Sequence, residues 1–87
     1  NNINAIAVYP NPAIENATIN FTMIEASNAT VSLIDMTGKT VAAIFNGNLT
    51  AGNHQFEINV DNLAMGCYFV QVQTAAGSKT IKLSVTK

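Results

Sequence analysis

Polar and apolar residues alternate one by one along most of this chain. In TINFTM (18–23), Ile19, Phe21 and Met23 fall on one face, with Thr18, Asn20 and Thr22 on the other. TVSL (30–33) places Val31 and Leu33 together, and QFEINV (55–60) sets Phe56, Ile58 and Val60 against Gln55, Glu57 and Asn59. YFVQVQT (68–74) aligns Tyr68, Val70 and Val72. IKLSVTK (81–87) aligns Ile81, Leu83 and Val85 opposite Lys82, Ser84 and Thr86. A period of two is the pattern of strands with one face in a core and one in water. IAVY (6–9) and TVAAIF (40–45) complete an expected set of seven short strands.

Turn-forming clusters punctuate these runs: EASN (25–28), MTGK (36–39), NGN (46–48), TAGN (50–53) and AAGS (75–78). DNLAMG (61–66) is the longest candidate for a helical turn and is too short for an independent helix. The expected fold is all-β, an immunoglobulin-like antiparallel β-sandwich of about seven short strands. The Cys…Trp…Cys signature of antibody domains is missing, since the chain has one Cys and no Trp. Pro10 and Pro12 cannot donate ladder hydrogen bonds, so VYPNP (8–12) cannot run through the middle of a sheet. The reading is a stiff break after the first strand, carrying the chain from one sheet to the other.

Composition narrows the function classes. The 87 residues form a single domain, 48% hydrophobic and 10% charged with a net charge of −1, which excludes a disordered charged tail. Four lysines without arginine or a basic cluster argue against nucleic acid. No apolar run reaches the roughly 20 residues of a membrane-spanning helix. The chain begins at Asn1 with no leader pattern, and is read as a piece excised from a longer protein.

Convergent chemistry is hard to find. His54 is the only histidine, and Glu15, Glu25, Asp35, Glu57 and Asp61 are scattered over different segments. GNLTAGN (47–53) has the glycine spacing of a phosphate-binding loop without its Lys-Ser/Thr, and DMTG (35–38) is one residue too long for an aspartic-protease motif. A turn made by Asp35 is the better reading. Asn16, Asn20, Asn28 and Asn48 each begin an Asn-x-Thr sequon, read here as polar strand faces and turns. Cys67 has no Lys, Arg or His within two residues, so it is expected as a passive thiol on the face opposite Tyr68. No catalytic residue, cofactor or metal is expected.

An ordered set of short motifs carries more information. VYPNP (8–12), VSLIDMTGKTV (31–41), LTAGNHQFEI (49–58), LAMGCYFVQVQT (63–74) and KTIKLSVTK (79–87) follow one another. This order resembles the type A C-terminal sorting domain of the type IX secretion system of Bacteroidetes. The resemblance covers nearly the whole chain. It implies a seven-stranded immunoglobulin-like sandwich at the C-terminus of a longer secreted protein, residues 1–87 being that domain. It also implies a cargo fused N-terminally, which crosses the periplasm and then the outer-membrane translocon. A sortase-like peptidase would remove the domain, leaving the cargo on the cell surface or secreted. The matching positions are Pro10, Asn11 and Pro12; Asp35, Gly38 and Lys39; Gly52; Gly66 and Tyr68; and Lys82, Leu83 and Val85, with Lys87 closing the chain. Cys67 and the absence of arginine depart from the family's usual pattern. The competing reading is a passive or carbohydrate-binding sandwich appended to a secreted hydrolase.

Overall fold

The computed structural model describes residues 2–10 and 15–86. Its strands are β1 (Ile3–Tyr9), β2 (Asn16–Met23), β3 (Ser27–Asp35), β4 (Thr40–Leu49), β5 (Gly52–Asn59), β6 (Gly66–Thr74) and β7 (Gly77–Val85). They form a three-stranded sheet, β1-β2-β5, and a four-stranded sheet, β4-β3-β6-β7, with every neighbouring pair antiparallel. The expected seven-stranded sandwich is present. Its fourth strand pairs with the third, whereas the constant-type immunoglobulin arrangement adds it to the sheet of strands one, two and five.

The alternation works because each sheet turns one face inward. Ile19, Phe21 and Met23 from β2 and Ile58 from β5 meet Val31, Leu33, Val70, Val72, Leu83 and Val85 in a single buried cluster. Phe56, expected inward, is half-buried: it sits at the open side of the sandwich, its ring 6.1 Å from Phe21 and 4.9 Å from Phe45. These rings close the gap between edge strands β4 and β5. Among the described residues, every buried side-chain nitrogen and oxygen has a hydrogen-bond partner.

Two expectations need correction. VYPNP does not carry the chain between sheets, because β1 and β2 are hydrogen-bonded neighbours with Tyr9 opposite Thr18. Pro10 instead stands just beyond the end of edge strand β1, where its missing N–H costs no ladder bond. The sheet changes fall at the β2–β3, β4–β5 and β5–β6 connections. NGN (46–48) is not a turn: Asn46, Gly47 and Asn48 continue β4 opposite Thr30, Ala29 and Asn28. A Cβ on Gly47 would come within 3.2 Å of the Phe45 ring, so glycine there marks a close approach inside a strand. DNLAMG (61–66), expected as a turn too short for a helix, holds a single turn closed by Leu63 N donating to Val60 O at 3.1 Å.

Strand β1 also starts earlier than its local pattern shows. Ile3 and Val8 are both buried, although five residues of plain alternation would put them on opposite faces. A bulge between Asn4 and Ala7, with Ala5 at φ 52°, inserts one extra residue and restores the inward phase.

Candidate functional site

Antiparallel order sorts the connections into two ends of a molecule 37 Å long. At one end lie Asn2, the β2–β3 and β4–β5 corners and the β6–β7 turn. At the other lie Pro10, Glu15, the β3–β4 turn, the β5–β6 connection and the end of β7. Motif positions spread over the chain therefore converge: Pro10, Asp35, Gly38, Lys39, Gly66, Tyr68 and Val85 gather at this second end. Gly52 lies at the first end, at the start of β5. Asn11, Pro12 and Lys87 lie outside the described residues.

The β3–β4 turn is organised by Asp35. Its Oδ1 accepts from Thr37 N at 2.9 Å, Thr37 Oγ1 at 2.6 Å and Lys39 N at 3.1 Å, while Asp35 O accepts from Gly38 N at 3.0 Å. Donors converging on the ionised carboxylate, the Thr37 hydroxyl foremost, hold the Asp35 carboxyl below its ordinary range. Gly38 has φ +88° and open space where a Cβ would stand, so backbone conformation alone requires glycine there. DMTGK thus makes a self-contained turn whose tip exposes Met36 and Lys39.

Gly66 and Tyr68 perform a second local task. Tyr68 is buried, and its hydroxyl donates to Ala64 O at 2.6 Å, tying the start of β6 back to the connection from β5. This is the geometry of a tyrosine corner, placed at the same strand junction as in immunoglobulin-like sandwiches. Gly66, at φ +154°, lets the chain enter β6 directly before it.

In β7, Leu83 and Val85 are part of the core and Lys82 is exposed opposite Phe69. The folded domain can therefore present Pro10, Lys39 and Lys82 to a partner, while Tyr68, Leu83 and Val85 act through the fold. β7 is an edge strand carrying Lys79 and Lys82, and lysine on an edge also hinders unwanted strand pairing.

A feature that local patterning does not reveal lies on the outer face of the four-stranded sheet. Its rows Asn46–Thr30–Gln73–Ser78 and Ala43–Ser32–Gln71–Thr80 are mostly polar. The next row, Thr40–Ile34–Phe69–Lys82, is apolar at its centre, with half-buried Cys67 beyond it opposite Ser84. Cys67 and Phe69 do share the face opposite Tyr68. Met36 and Met65, 74% and 68% exposed, stand at the same end.

The remaining candidates for chemistry take structural places. His54 Nε2 donates to Thr50 O at 2.8 Å, and its ring packs 6.2 Å from Phe21. The sequon residues pair across strands: Asn28 faces Asn48, Thr30 Oγ1 lies 3.4 Å from Asn46 Oδ1, and Asn53 Nδ2 donates to Asn20 Oδ1 at 2.6 Å. Among the described residues, no group of three or more His, Cys, Asp or Glu side chains could hold a metal ion. No helix among them is long and apolar enough to cross a membrane.

Fold and turn chemistry define a small β-sandwich with Pro10, Asp35, Gly38, Lys39, Gly66, Tyr68 and Val85 at one end and Gly52 at the other. The family model described as secretion system C-terminal sorting domain matches residues 7–86. The chain belongs to this family of type IX secretion sorting domains. Such domains are in general non-catalytic, and membership implies export of a fused N-terminal cargo to the cell surface or medium. A search of curated protein sequences finds no match.

Proposed function

We propose that this domain is the C-terminal export label of a larger secreted protein and carries no catalytic activity of its own. Its cargo passes through the periplasm and then through the outer-membrane translocon, and a sortase-like peptidase removes the domain afterwards. The observation that carries this reading is the family match over residues 7–86, supported by the gathering of Pro10, Asp35, Gly38, Lys39, Gly66, Tyr68 and Val85 at one end of the sandwich. Asn2 lies at the opposite end of the sandwich. There Asn2 Nδ2 donates to Glu25 O at 3.0 Å and Asn2 Oδ1 accepts from Glu25 N at 2.7 Å. This two-point clamp fixes Asn2 at the end opposite Pro10 and the Asp35 turn.

Pro10, Asn11, Pro12, Lys39, Lys82 and Lys87 are the positions through which machinery would read the domain. Asp35, Gly38, Gly52, Gly66, Tyr68, Leu83 and Val85 support them by shaping the fold. The test is to append residues 1–87 to a periplasmic reporter in a host with the secretion system. Export followed by mass spectrometry of the exported reporter checks both steps. A reporter found outside the cell without the domain is the expected product. An exported reporter that keeps the whole domain would remove the peptidase step, and retention in the periplasm would remove the proposal.

A further inference from the structure

We infer that the outer face of the four-stranded sheet, at its motif end, is a protein-docking surface. Its centre is Ile34, Phe69 and Cys67, with Met36 and Met65 at the end and Lys39 and Lys82 at the margins. The occupant is a surface of the export machinery with an apolar centre and an acidic rim. The inference rests on the proposed sorting function and names where on the domain that reading is carried out.

The first argument is the distribution of apolar residues. Small soluble domains keep the solvent face of a sheet polar, and this sheet does so for two of its outward rows. The pattern breaks where Ile34 stands directly opposite Phe69. Burial of the core needs neither side chain, because both point away from it. Met36 and Met65 add flexible, polarisable side chains at the turn and at the entry to β6, a residue type that adapts to irregular partner surfaces. Half-buried Ile34, Phe69 and Cys67, extended by exposed Met36 and Met65 and surrounded by polar rows, form an outward apolar patch of the kind that marks an interaction site.

Charge supplies the second argument. The outer face at the motif end is bordered by Lys39 and Lys82, whereas Lys79 stands opposite core residue Val72 nearer the other end; the one carboxylate of the four-stranded sheet, Asp35, is engaged by donors of its own turn. The other sheet and the connections leading from it carry Glu15, Glu25, Glu57 and Asp61 and no described lysine. A partner that docks on the four-stranded sheet with an acidic rim is attracted to the correct face and repelled from the other. Position supplies the third. The cluster lies at the end of the molecule opposite Asn2, away from the side on which a fused cargo joins.

The experiment compares export of a reporter fused to the wild-type domain with export of fusions carrying Met36→Asp, Phe69→Thr or Ile24→Asp. Each variant domain is first checked by thermal melting. Ile24 is the control: it is apolar and 57% exposed, but lies in the β2–β3 corner at the opposite end. The expected result is export reduced at least about tenfold by Met36→Asp and Phe69→Thr and unchanged by Ile24→Asp, tenfold corresponding to roughly 1.4 kcal/mol of binding. Met36→Leu, which keeps an apolar side chain, is expected to export normally. If Phe69→Thr fails to fold, Met36→Asp decides alone, because Met36 contributes little to the core. Normal export by a folded Met36→Asp domain overturns the docking surface and leaves the sorting function standing. Equal loss in Ile24→Asp overturns it too, because the effect would not be localised. If the wild-type fusion is exported no better than the bare reporter, the sorting function fails and the docking surface with it.

Discussion

Replacing Tyr68 with Phe separates a residue that shapes the signal from one that is read. The substitution leaves the buried ring in place and deletes one hydrogen bond, Tyr68 Oη to Ala64 O at 2.6 Å. No cavity forms, so the loss is that of the bond, about 0.5–1.5 kcal/mol net. Ala64 is exposed, and water can reach its freed carbonyl, which removes the extra penalty of a buried orphan. A loss near 1 kcal/mol is expected. For a domain of this size that lowers the melting temperature by about 4–8 °C. At roughly 0.05–0.15 kcal/mol per residue, an 87-residue domain holds only about 4–13 kcal/mol, so the change is visible but not fatal. Calorimetry of the isolated domain measures it, and the variant should export its cargo normally at temperatures where it is folded. An unchanged melting temperature would mean that the corner does not fasten β6. Lost export from a fully folded variant would make the hydroxyl itself a recognition element and refute the assignment.

Three further substitutions probe other parts of the account. Asp35→Ala should lower the melting temperature at neutral pH. The folded carboxyl is held below its ordinary value, so its stabilisation is full above about pH 3.9, the unfolded value, and fades as pH falls through the folded value. The gap between wild type and variant, followed by melting at stepwise lower pH, should therefore close in acid; a constant gap would contradict the turn. Ala5→Gly should raise stability by up to about 1 kcal/mol by relieving a left-handed alanine, partly offset by the added freedom of the unfolded chain. A lower melting temperature would argue against the bulge geometry. Lys82→Gln should shift stability by no more than about 0.5 kcal/mol while weakening export, and normal export would take this lysine out of recognition.

Local pattern reached the strands and failed at their partners. Ile19, Phe21 and Met23, like Tyr68, Val70 and Val72, could be assigned to the core because neighbours two apart meet the same environment. Which strand lies beside which is decided by contacts far apart in the chain. For that reason the break at Pro10, read locally, points to a sheet change, whereas β1 and β2 on either side of it are neighbours in one sheet. Bulges hid part of the rest: one in β1 and two register shifts against β4 move residues between faces without any mark in composition. Gly47 imitated a turn because glycine beneath an aromatic ring and glycine in a turn look alike in one dimension. The site shows the same division. Asp35 and Gly38 lie three residues apart and announce their own turn. Ile34, Phe69 and Lys82 form a row only through the register of β3, β6 and β7.

The central claim is that this sandwich directs export through one particular apparatus. A reporter carrying residues 1–87 at its C-terminus should be compared in two otherwise identical strains, one with and one without the outer-membrane translocon of the type IX system. The measured quantity is the ratio of reporter on the surface and in the medium to reporter in the periplasm. The account predicts a high ratio only in the strain with the translocon, and periplasmic accumulation in the other. Equal ratios in the two strains would contradict it.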